Sequence, residues 1–232
     1  MPGEIDYKRM LPLMFAVFVN IAGFSLILPL LPFYGPLFGA GAFEVAVLFA
    51  AYSLGNVFGE IFWGRQSDRW GRRAVLVATT TGAALTYVAF AYAPGLWLAV
   101  AIRIVNGFFG GTLSVAQGFI ADSSPPEKRA KAMGLFGASF SLGFAFGPVL
   151  GGLLAGAGTT LDDFHAPILA AAVMSAITAI WSLLVLRDAR PPIGKTAPLL
   201  RYGEAVRYVV THSLMLRLFV ISFFGIAAFA SM

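Results

Sequence analysis

The chain has 232 residues, a formal net charge of +5 and no cysteine, so disulfides, thiolate metal sites and thiol redox chemistry are excluded. Hydrophobic residues make up 59% and charged residues only 12%, against roughly 25% charged in a typical soluble chain. Water-soluble folds cannot hide that much apolar surface, and the composition describes a multi-pass membrane protein.

About 20 apolar residues are needed to cross a bilayer as a helix. On that measure the predicted spans, in chain order, are Leu11–Tyr34, Phe43–Gly64, Ala74–Tyr92, Leu96–Ile120, Ala132–Ala155 and Pro167–Leu186, with a seventh beginning at Leu214. The N-terminal run lacks a cleavage site of small residues and reads as a first span, not a removed signal peptide. The fold class is therefore all-α, a bundle of membrane helices. Residues 1–187 hold six spans, 188–213 form a polar linker with a short interfacial helix, and 214–232 start a further span at whose end the chain stops.

Lys8 and Arg9 precede span 1. Arg65, Arg69, Arg72 and Arg73 follow span 2, and Lys128, Arg129 and Lys131 follow span 4. Arg187, Arg190, Lys195, Arg201, Arg207 and Arg217 surround the linker, and the loops between have none. Insertion retains Lys and Arg on the cytoplasmic side, so the N-terminus is expected in the cytoplasm of a cell inner or plasma membrane. The positive charge is thus topology, and no nucleic-acid partner is expected. Tyr34, Tyr92 and Trp97 suit the outer interface, and Tyr7, Trp63 and Trp70 the inner one.

Span 2 and its loop read Gly55-x8-Gly64-x3-Asp68-Arg69-x-Gly71-Arg72-Arg73. Gly64 is expected to end the helix against a close neighbour, and Gly71 to permit a tight turn. Asp68, a carboxylate among arginines, suits the N-terminus of another helix. In span 5, Ser139, Gly143, Gly147, Gly151 and Ala155 recur every four residues, a ridge that lets two helices approach closely. Pro148 within it invites a bend.

Ionisable residues inside spans cost roughly 2.5–3.5 kcal/mol on insertion scales and are functional candidates by default. At ~100° per residue, Arg103, Asn106, Ser114 and Gln117 fall on one side of span 4, a stripe expected to face a cavity or the bundle interior. Substrate contact or coupling by Arg103 and a structural hydrogen-bonding role both stay open. In span 2, Ser53, Asn56 and Glu60 share a face opposite Gly55 and Gly59. Glu60 is either a coupling group or a carboxylate snorkelling to the interface. An axial offset of ~15 Å, at 1.5 Å per residue, argues against its pairing with Arg103. Asn20 in span 1 is a further polar candidate, or an interhelical hydrogen-bonder. Asp162, Asp163 and His165 read as a solvated loop, with no nucleophile or third ligand beside them. No enzyme activity, metal or cofactor is expected.

Together these patterns resemble the major facilitator superfamily. The first is similar to its loop 2–3 signature, and Gly134-x8-Gly143-x3-Gly147-Pro148-x2-Gly151-Gly152 to its span 5 antiporter signature. Arg103-x2-Asn106-Gly107-x2-Gly110 is similar to its span 4 pattern, with Asn106 where Gln is commoner. Gly23-Phe24-Ser25-Leu26-Ile27-Leu28-Pro29-Leu30-Leu31-Pro32 resembles the first span of tetracycline-type drug:proton antiporters, which carry Asp at the position of Asn20.

The resemblance implies the N-terminal half of an alternating-access transporter, with proton-coupled export of small amphipathic compounds across the lipid bilayer. Asn20, Glu60, Arg103, Asn106 and Gln117 would bind substrate or couple ions. Gly64, Asp68, Arg69, Gly71 and Arg72 would gate the cytoplasmic side, and Gly143, Gly147, Pro148 and Gly151 would form a packing hinge. Asn cannot carry a proton, so the resemblance leaves coupling to Glu60, Glu44 or a residue of a second half. Two other readings stay open. One is an importer or facilitator of a sugar, amino acid or anion; the other is a non-transporting half-subunit or truncated product that needs a partner half.

Overall fold

The computed structural model describes residues 7–156, 160–186, 210–217 and 220–221. Helices account for nearly all of them: α1 (Tyr7–Ile27), α2 (Leu31–Tyr34), α3 (Ala42–Trp70), α4 (Arg72–Ala91), α5 (Leu96–Phe108), α6 (Thr112–Ser123), α7 (Pro126–Leu154) and α8 (Asp162–Val185). Tight 3₁₀ turns at Leu28–Leu30 and Gly35–Phe38 flank α2. Six stretches are long and apolar enough to cross a membrane: Met10–Phe38, Ala42–Trp70, Arg72–Ala91, Leu96–Ser123, Pro126–Leu154 and Asp162–Val185.

The chain forms two compact units, Met1–Pro191 and Pro192–Met232. In the second, residues 213–217 are helical and exposed. The expected linker helix within 188–213 and most of the seventh span lie outside the described residues.

Several boundaries differ from the sequence expectation, each for a local reason. Span 1 does not stay a single helix to Tyr34. Pro29, Pro32 and Pro36 each lack an amide donor, and each opens a short new turn, so the chain steps through 3₁₀ geometry to Phe38. Span 2 does not end at Gly64. The helix runs on to Trp70: a β-carbon at Gly64 would come no nearer than 3.8 Å to Ser114 Oγ, so no close neighbour ends the helix there, whereas Gly71 takes φ +92° and turns the chain. Span 4 is broken: turns at residues 109–111 separate α5 from α6.

Lipid tails are as apolar as leucine, so helix association inside a membrane depends on close packing and interhelical hydrogen bonds. The most extensive contacts are α1 with α7, α4 with α8, α3 with α5, and α1 with α8. On α7, side chains at Gly143, Gly147 and Gly151 would run into the carbonyl oxygens of Phe18, Ala22 and Leu26 on α1. Ser25 fastens that seam by donating to the Gly143 carbonyl at 3.2 Å. Pro148 sits in α7 on its exposed side. Gly55 and Gly59 of α3 abut the carbonyls of Ile104 and Phe108 on α5, and Gly107 of α5 abuts that of Tyr52.

Two buried clusters result. One, near the start of α1, includes Met10, Leu13, Val17, Trp63, Val75, Val115, Phe119 and Phe136. The other gathers Leu26, Leu31, Tyr34, Leu48, Tyr87, Phe90, Phe164 and Ile168. Tyr34 and Trp63 are therefore not interface-belt residues. Both point inward and spend their polar atoms on backbone carbonyls, Tyr34 on Phe90 at 3.1 Å and Trp63 on Phe108 at 2.8 Å. Tyr92, Trp97 and Trp70 are exposed, as belt residues are.

Candidate functional site

Two polar sites emerge from the packing, one inside the bundle and one in the loop between α3 and α4. The interior site is centred on Arg103. The α3–α5 glycine contacts bring Tyr52 over its guanidinium, with Cζ 4.8 Å from the ring centroid, and Phe90 of α4 lies 5.7 Å away. Phe24 of α1 packs against the Tyr52 ring at a tilt of 35°, with centroids 4.7 Å apart. Arg103 is 1% exposed, and its Nε and Nη1 have no hydrogen-bond acceptor among the described residues.

Ring faces attract a cation by about 0.5–2 kcal/mol, more when desolvated. That falls well short of the several kcal/mol needed to bury a charge. Arg103 is thus held by shape and rings, with binding capacity left over. One turn along, Asn106 donates to Thr86 Oγ1 at 2.7 Å, and its Oδ1 is buried without a donor.

The structure brings some sequence candidates together and separates others. Arg103 and Asn106 share the buried interior of α5, while the break in span 4 puts Ser114 and Gln117 on α6, Ser114 half-buried and Gln117 exposed. The expected single stripe is therefore divided, because its periodicity presumed one helix. Asn20 is half-buried on α1. Glu60 is half-buried and accepts the Ser114 backbone N–H at 3.2 Å. It ion-pairs with no residue among those described, Arg103 included.

The loop site is a knot around Arg72. Its Nη2 lies 2.6 Å from Asp68 Oδ1 and its Nε 3.0 Å from Asp122 Oδ2, and Nη1 donates to Ser67 Oγ. Ser67 in turn donates to the Gly64 carbonyl at 2.7 Å. Gly118 makes room for the guanidinium on α6. One side chain thereby ties the end of α3, the start of α4 and the end of α6 together. Asp68 and Arg69 stay exposed beside it. At the opposite end, Asp163 accepts from the Thr160 N–H at 3.0 Å and its hydroxyl at 3.1 Å, while Asp162 lies 3.5 Å from His165. These side chains organise the turn into α8, and no group of three metal-ligating residues occurs among the described residues.

Sequence reasoning missed Asp122, Trp63 and the rings around Arg103. Asp122 had a usable signal, a lone carboxylate at the end of span 4 facing the loop of arginines. Tyr52 and Phe90 had none, since aromatic residues are common throughout these spans.

Comparison with known proteins places these features in a family. Residues 13–232 match the model described as Major Facilitator Superfamily. The chain is 36% identical over 188 residues to the class C tetracycline resistance protein of Escherichia coli, covering 79% of this chain and 46% of that protein. It is 35% identical over 160 residues to the multidrug resistance protein MdtG of Proteus mirabilis (strain HI4320), covering 66% and 40%. The chain spans about half the length of the curated relatives it matches. Among solved structures, a bacterial homolog of the human lysosomal transporter Spinster superimposes with TM-score 0.69 at 20% identity, over 88% of this chain and 49% of that one. The human organic anion transporter MFSD10 superimposes with TM-score 0.63 at 22% identity, over 81% and 49%. At those identities the likeness is one of fold.

Proposed function

The chain belongs to the major facilitator superfamily, and from that premise we propose that it supplies the N-terminal half of a proton-coupled exporter of small amphipathic compounds. In this reading residues 1–187 form one six-helix wall of a central cleft, 188–213 link it to a second half, and 214–232 begin that half. The N-terminus and the Arg72 knot face the cytoplasm, as the distribution of basic residues favours.

Kinship with tetracycline and multidrug resistance proteins at 32–36% identity supports the reading more than any other observation. The geometry adds an intramembrane cation with spare donors, the mark of an intramembrane functional group. Arg103, Asn106, Asn20 and Gln117 are assigned to substrate contact or coupling, and Glu60 to coupling. Asp68, Arg69 and Arg72, turned by Gly71, are assigned to the cytoplasmic gate. The seam at Gly143, Gly147 and Gly151, with Pro148, serves as the surface about which α7 moves on α1.

A second reading has one specific observation behind it. Arg103 is a buried cation with no carboxylate partner among the described residues, so an anionic solute could supply the missing charge.

Proteoliposomes carrying the complete transporter separate the two. Export predicts that an imposed pH gradient drives movement of tetracycline or a lipophilic cation, and that Asp68→Asn lowers it at least tenfold with insertion unchanged. Uptake of small anions, with no flux of the cations, would replace export by the second reading. Full transport by Asp68→Asn would remove the gate assignment.

A further inference from the structure

The break in span 4 leaves polar backbone in the membrane interior. α5 ends at Phe108, turns occupy 109–111, and α6 starts at Thr112. Such a break frees carbonyls at one helix end and amides at the next, and hydrocarbon offers no water to satisfy them. Internal turn bonds take some of them, Gly110 N–H to the Gly107 carbonyl and Thr112 N–H to the Gly110 carbonyl, both 2.7 Å.

Two side chains of α3 take others. Trp63 Nε1 donates to the Phe108 carbonyl at 2.8 Å, and Glu60 accepts the Ser114 N–H at 3.2 Å. The two are one helical turn apart on α3, so they address the break from one face. Trp63 is buried, with the rings of Phe62, Phe108 and Phe109 packed 5.0–5.8 Å away. The fit at the break is close, because a β-carbon at Gly111 would lie 2.9 Å from that of Trp63.

We propose that Glu60 and Trp63 form a clasp on the break in span 4, Trp63 holding the end of α5 and ionised Glu60 holding the start of α6. A carboxylate at a helix N-terminus is favoured by the helix dipole, and its hydrogen bond is roughly twice as strong as a neutral one. Protonation of Glu60 removes both advantages and loosens α6 while Trp63 keeps its grip on α5.

The joint sits between the two sites already described. α5 carries Arg103 and Asn106, and α6 carries Gly118 and Asp122, which hold Arg72. The titratable and charged groups on the neighbouring elements are Arg103 on α5, Asp122 on α6, and Arg72, Arg73 and Tyr87 on α4, with Glu44, Tyr52, Arg65, Asp68 and Arg69 on α3 itself. None of them ion-pairs with Glu60, so its charge acts on the α6 amide. The use of the clasp in coupling rests on the export reading; the clasp itself does not.

Hydrogen exchange of the chain in lipid nanodiscs tests it, corrected for intrinsic rates. Glu60→Gln is expected to speed exchange of the 110–114 amides about five- to tenfold, the difference between a charge-assisted bond and the weaker one that an amide oxygen can still accept. Acidifying the buffer should do the same to the unsubstituted chain and nothing further to the variant. Trp63→Phe should raise exchange yet keep the pH step. A pH step that survives Glu60→Gln would overturn the proposal. Unchanged 110–114 amides in that variant, or a rise shared by the α1–α7 seam, would do so equally. Gradient-driven export with an unaltered exchange pattern in Glu60→Gln would sink the clasp and leave export standing. The predicted pattern without export would do the reverse.

Discussion

Arg72 and Arg103 sit on adjacent helices, α4 and α5, and are provided for in opposite ways. Arg72 is surrounded by oxygen: two carboxylates and a hydroxyl hold its guanidinium, and part of that cluster is open to solvent. Arg103 is surrounded by rings and packed backbone, with donors unspent and almost no exposure. The first arrangement satisfies a charge where it already sits comfortably. The second keeps a charge unsatisfied where it is expensive, the setting that makes an intramembrane ionisable residue a functional candidate.

The glycines beneath the two sites give the sharpest way to break this contrast. A β-carbon at Gly107 would strike the Tyr52 carbonyl oxygen and lie 2.9 Å from the Asn56 amide nitrogen, both backbone atoms that cannot swing aside. At Gly118 the nearest atoms it would meet are at the far end of the Arg72 side chain. Gly107→Ala is therefore expected to cost about 3 kcal/mol by forcing α5 off α3. Gly118→Ala should stay near zero, since the gain of about 1 kcal/mol in helix propensity offsets a shifted side chain. Unfolding midpoints in detergent measure both. Equal losses would mean that Arg103 is held no more rigidly than Arg72.

Replacing the arginine itself is next in size. Arg103→Met removes an uncompensated buried charge and keeps most of the volume, so the fold should gain about 1–2 kcal/mol. The same change should lower substrate flux at least tenfold in the complete transporter. A variant that is both less stable and still active would show that the rings and Arg103 form an ordinary structural contact.

Much of this was legible in the chain. The six spans follow from apolar run length, and the α7 glycine ridge from its four-residue spacing, because both depend on periodicity alone. The break in span 4 was hidden because Phe109, Gly110 and Gly111 are apolar or small and leave hydropathy unaltered. The position of Gly64 misled for a related reason: glycine permits a helix end but does not compel one, and of the two it is Gly71 that adopts the backbone angle requiring it. The Arg72–Asp122 pair joins residues 50 apart in sequence, and no local pattern records such a distance. The aromatic setting of Arg103 was equally silent, since Tyr52 and Phe90 lie on different helices and become neighbours only after Gly55 and Gly107 have drawn α3 and α5 together.

The smallest expected effect tests the Arg72 side of the contrast through its dependence on salt. The side chains of Asp68 and Asp122 are 45% and 31% exposed, and exposed ion pairs contribute roughly 0–1 kcal/mol each. With two such pairs lost, Arg72→Ala should accordingly cost about 1 kcal/mol at low ionic strength. The loss should shrink at about 1 M salt, where the screening length falls to about 3 Å. Arg103 has no ion pair to screen among the described residues, so the stability change of Arg103→Met should be the same at both salt concentrations. If Arg72→Ala were equally costly in both, the knot would owe its hold to the uncharged bond to Ser67 and to packing over Gly118, and the two arginines would differ in exposure without differing in kind. If the cost falls with salt while gating in the complete transporter is still lost, the knot holds the loop by charge, with little energy stored in it. A contact of that strength yields to a change in one partner.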